Sequence, residues 1–99
     1  MGERLQRRRL EDVQRRLASA RESERVLQEQ VEVWNDALDD ARIRALVSET
    51  PVQAQEYDEL SRHVVAANAE LARRSSEVRN LTGERDDLLR SWTPKDEYE

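Results

Sequence analysis

Ser48-Glu49-Thr50-Pro51-Val52-Gln53 lies almost at the middle of the 99-residue chain and decides how it folds. Thr50 is a strong N-cap residue, and Pro51 suits the first helical position because the N–H it lacks would be unpaired there anyway. Gln53 stands three residues after Thr50, which completes a capping-box pattern. Proline also drives the residue before it out of the helical region. Two independent rules therefore place one helix end near residue 48 and a second helix start at Pro51.

On either side of this break the apolar residues recur in steps of three and four. Upstream the stripe is Leu10, Val13, Leu17, Ala20, Leu27, Val31, Trp34, Leu38, Ala41 and Ala45, interrupted by Glu24. Downstream it is Tyr57, Leu60, Val64, Ala67, Leu71, Val78, Leu81, Leu88 and Trp92, interrupted by Arg74 and Arg85. A heptad rhythm held this long is the mark of paired helices with a narrow apolar seam. The chain is thus predicted to be all-α, with two long amphipathic helices folded as an antiparallel coiled-coil hairpin. One domain is expected over residues 1–99: a helix over about 3–48, a turn at 48–50, a helix over about 51–92 and a flexible acidic tail over 93–99.

Composition agrees. Charged residues make up 39% of the chain against 36% hydrophobic, and Phe is absent, so a compact globular core is out of reach while long helices are not. Cysteine is also absent, which excludes disulfides and thiolate metal sites. No apolar run approaches the roughly 18 residues that span a bilayer, and the N-terminus lacks the apolar stretch of a signal peptide. A cytoplasmic protein with no membrane partner is expected.

A tight turn makes facing residues sum to about 98, so Leu17 meets Leu81, Leu27 meets Leu71 and Val31 meets Ala67. The same register sets Glu24 opposite Arg74, a polar pair that would fix alignment within the seam. Arg85 falls opposite Val13, from where it is expected to reach Glu11 or Asp12. Gly83 is expected to mark a kink, a close contact or nothing at all.

A two-helix seam does not use every apolar residue. Leu5, Val26, Val33 and Val47 fall at c positions of the first helix and Ala37 at g, while Ile43 and Leu46 lie near the turn. With Trp34, a large side chain for a d position, they are the candidate interaction surface: Val26, Val33, Trp34, Ala37, Ile43, Leu46 and Val47. Broad apolar stripes suit bundles of more than two helices, so the simplest closed arrangement is a homodimeric four-helix bundle. The partner is the chain itself or another helical protein.

Charge is uneven. Residues 1–25 carry eight Arg against five acids, and residues 26–60 carry two Arg against nine acids. Asp36, Asp39, Asp40 and Glu49 gather toward the turn, which suggests an alternative: a small regulator docking an acidic tip onto a nucleic-acid-processing enzyme such as RNA polymerase. In broad shape such a hairpin resembles the bacterial transcript-cleavage factors, and the resemblance is one of shape alone. A second alternative is nucleic-acid binding through Arg7, Arg8 and Arg9. Acids at Glu11 and Asp12 follow that run at once and no aromatic residues interleave, so a solvated helix face is the better reading.

Nothing points to catalysis. His63 is the only histidine, and Glu59 four residues before it would supply no more than a second ligand from the same helix. No cofactor, metal or small-molecule substrate is expected. A non-enzymatic protein–protein interaction module, self-associating as an adaptor, spacer or scaffold, is the leading expectation.

Overall fold

A computed structural model describes residues 2–92; the tail expected over 93–99 lies outside them. Two α-helices form one hairpin: α1 spans Gly2–Ser48 and α2 spans Pro51–Ser91. The rod measures 77 × 18 × 15 Å with a radius of gyration of 22.0 Å. A compact domain of this length would have a radius of about 13 Å. The long dimension is set by α1, whose 47 residues account for about 70 Å of it, and the short ones are two helices side by side.

The turn is built as its residues dictate. Ser48 Oγ donates to the Arg44 carbonyl at 2.7 Å, and Glu49 N donates to the Ala45 carbonyl at 3.3 Å. Glu49 then takes φ 52°, the left-handed conformation that commonly ends a helix. Thr50 returns to extended backbone, and its hydroxyl oxygen accepts from Gln53 N at 3.3 Å. Pro51 follows at the head of α2. Two residues thus reverse the chain.

Burial follows the two stripes. Val13, Leu17, Leu27, Val31 and Ala41 from α1 and Val64, Ala67 and Leu81 from α2 are buried. Every other stripe residue, Glu24, Arg74 and Arg85 included, is half-buried, and none is exposed. Mid-rod, Leu27, Val31 and Ala67 pack as one cluster with Trp34 and Leu71 against it, which agrees with facing residues that sum to 98. α2 runs unbroken through Gly83, and a Cβ there would meet no neighbour within 4 Å.

Candidate interaction surface

α1 presents its c and g positions along one flank, about a quarter to a third of a turn away from the seam. The large apolar side chains there are left open. Val33 is 65% exposed, Val47 79%, Leu5 51% and Val26 40%. Ala37 is half-buried on the same flank. Ile43 and Leu46, near the turn as expected, are exposed at f and b positions across the back of α1. The seven expected residues therefore divide into a flank of Val26, Val33, Ala37 and Val47, two separate residues near the turn, and Trp34 at the seam.

Trp34 is half-buried and stands edge-on to His63, with ring centroids 4.4 Å apart and planes at 79°. This arrangement sets the edge of one ring against the face of the other. His63, at a g position, lies on the flank of α2 that adjoins the open flank of α1. His63 itself remains exposed. The signal for the contact was the bulk of Trp34, which a two-helix seam cannot enclose.

Charged residues hold the edges. Arg16 Nη2 reaches Glu84 Oε1 at 3.1 Å and is the ion pair that joins the two helices among the described residues. Arg16 also bonds Asp12 in its own helix at 3.0 Å, and Arg15 bonds the same carboxylate at 2.8 Å. Arg25 clasps Glu22 at 2.5 Å and Glu29 at 2.7 Å. The guanidinium holds the Glu22 carboxyl below its usual range, first by hydrogen bonding and then by charge, and is itself pushed upward. Arg73 and Arg74 do the same for Glu70.

The expected Glu24–Arg74 pair is not an ion pair. Arg74 bonds Glu70 Oε2 at 3.2 Å and donates to the Ser23 carbonyl of α1 at 3.2 Å. The guanidinium does cross to the facing helix at that layer, but it takes a backbone acceptor one residue short of Glu24. Arg85 likewise bonds its neighbour Asp86 at 3.2 Å, while Asp12, one of its expected partners, is occupied by Arg15 and Arg16.

The acidic residues expected toward the turn lie within a few helical turns of it. Asp36, Asp39 and Asp40 share the outer side of α1, and at 1.5 Å per residue they sit about 13–20 Å back from Glu49. All four are exposed. Among the described residues no three His, Asp or Glu side chains are placed to hold a metal ion. Arg7, Arg8 and Arg9 are exposed, but consecutive residues on a helix point about 100° apart, so the three fan around α1 instead of lining one face. An open concavity lined by Gly2, Glu3, Arg4, Leu5, Arg7 and Arg8 lies beside the first turns. No helix among the described residues is long and apolar enough to cross a membrane. Compared with known proteins, the chain matches no family model, no curated protein and no solved structure.

Proposed function

We propose that the chain is a non-enzymatic coiled-coil module for protein–protein interaction and that it self-associates, acting as a spacer or scaffold. One observation carries this reading: the apolar flank of α1, in which Val26, Val33 and Val47 are 40%, 65% and 79% exposed although the hairpin seam is already closed without them. Apolar side chains repeated along one helix face lose little by meeting a like face and gain about 25 cal/mol for each Å² removed from water. The half-buried Trp34 adds to the same flank a large ring that a further helix would finish covering.

Light scattering tests the proposal. The wild-type chain should give twice its 11.6 kDa mass at micromolar concentration. The double variant Val26→Asp, Val33→Asp should return to one mass with its helical circular dichroism intact, because both positions face away from the seam. A wild-type protein that stays at a single mass into the millimolar range would overturn it.

A further inference from the structure

Charge along the rod favours one mutual orientation of two copies. The open half of the rod, residues 2–25 with 74–92, carries twelve Arg against nine acids, a net of +3. The turn half, residues 26–73, carries four Arg against ten acids, a net of −6. Two rods lying side by side with turns together would set −6 against −6. Reversing one of them sets each acidic half along a basic half, which favours both the encounter and the orientation.

The c positions of α1 fix the register. They read Leu5, Asp12, Ser19, Val26, Val33, Asp40 and Val47. α1 runs from residue 2 to residue 48, so two antiparallel rods in full overlap have their two-fold axis near residue 25, and Val26 is the c residue there. Turned end for end about Val26, the line sets Leu5 against Val47 and Val26 against itself, apolar on apolar at both ends and at the centre. Ser19 meets Val33, a small side chain against a branched one, and a helical serine can turn its hydroxyl back to its own backbone. Sliding by one heptad, with Val26 against Val33, would put Asp12 against Val47 and leave Leu5 beyond the end of α1.

Resting on the self-association proposed above, we infer that a second copy of this chain occupies the outer flank of α1 antiparallel, about a two-fold axis at Val26. The partner's Val47 then covers Leu5, and the partner's Val33 rests on Ser19. The unfavourable layers are the two symmetry-related ones that set Asp12 of each copy against the partner's Asp40. Asp12 is already neutralised by Arg15 at 2.8 Å and Arg16 at 3.0 Å, and Arg9 stands one turn before it on the same flank. The incoming carboxylate therefore enters an arginine-rich stretch of α1.

The natural chain has no cysteine, so single replacements report the geometry cleanly. Val26→Cys should form a disulfide-linked dimer on mild oxidation, since facing Cβ atoms at a two-fold axis come within the short reach that such a bond needs. Leu5→Cys alone and Val47→Cys alone should not, whereas the two variants mixed should cross-link to each other. Ser19→Cys mixed with Val33→Cys gives a second, inner pair. Each mixed pair should outrun the self-linked product by roughly 10²-fold, as expected when association holds the thiols at high effective concentration. Self-linking of Leu5→Cys in a protein of dimer mass would overturn the antiparallel arrangement and leave self-association standing. A Val26→Cys and Val33→Cys mixture that outruns self-linked Val26→Cys would overturn the axis at Val26. A dimer mass with none of these cross-links would remove the whole arrangement but not self-association. A monomer mass for the wild type would remove both.

Discussion

Glu49 carries the cost of the turn. Its left-handed backbone places a Cβ close to the following carbonyl oxygen, a conformation that glycine adopts freely. Its side chain is exposed and makes no ion pair among the described residues. Glu49→Gly should therefore stabilise the hairpin by about 0.5–1 kcal/mol, the relief of strain exceeding the added freedom of the unfolded chain. Thr50→Ala should act in the opposite sense. It removes the oxygen that accepts from Gln53 N and should destabilise by about 1 kcal/mol. Thermal melts of the two variants beside the wild type decide both, and a destabilised Glu49→Gly would show that the Glu49 side chain contributes something the geometry does not reveal.

At the scale of the helices, Gly83 is the weak residue of α2. It occupies an outward position with open space where a Cβ would go and no positive φ to require glycine. Gly83→Ala should raise stability by about 1 kcal/mol in the same melts. The intrahelical clasps predict a dependence on pH. The native pKa values of Glu22 and Glu70 lie below the ordinary carboxylate value, so the unfolded chain binds the proton first as pH falls. Their contribution is complete above about pH 5, beyond the free carboxylate pKa, and is lost as acid titrates the native carboxylates. Arg25→Gln, which removes the first clasp, should flatten the fall of melting temperature between about pH 5 and pH 3. An unchanged slope would mean that the clasp makes no difference in solution.

The helices themselves were legible from the sequence because each rests on a rule with few solutions. The Thr50-Pro51 break is a cap and a steric exclusion acting together, and the heptad stripes leave one face of each helix to bury. The charge pairing was not legible for Arg74 and Arg85. An arginine side chain is long enough to reach several acceptors of nearly equal energy, and a pair still partly open to water is worth too little to choose among them. Arg74 accordingly settled on Glu70 and the Ser23 carbonyl, and Arg85 on Asp86, while the sequence suggested Glu24 for the first and Glu11 or Asp12 for the second. The c-position apolar residues of the candidate surface were legible as surplus to the seam. That Ile43 and Leu46 stand apart from them follows from helical angle.

For the whole molecule, length is the informative quantity. Two rods packed side by side and antiparallel share nearly the same ends, so doubling the mass should leave the long dimension near the 77 Å of one hairpin. Small-angle scattering through the concentration range of association checks this, and growth of the maximum dimension toward twice that value would point to end-to-end stacking. Added salt should weaken the association, since screening shortens the reach of the +3 and −6 halves.

The two-residue connection between α1 and α2 has one more consequence. If it straightened, α1 and α2 would fuse into a single helix of about 130 Å. Two such chains would then make between them the same Leu17–Leu81 and Val31–Ala67 contacts that one chain makes with itself. Closed and domain-swapped forms would differ mainly in the hinge and in protein concentration. Pro51 tips that choice, because in a continuous helix its ring would collide with the Val47 carbonyl. The proline that opens α2 thereby also guards the hairpin against exchanging arms with its neighbours.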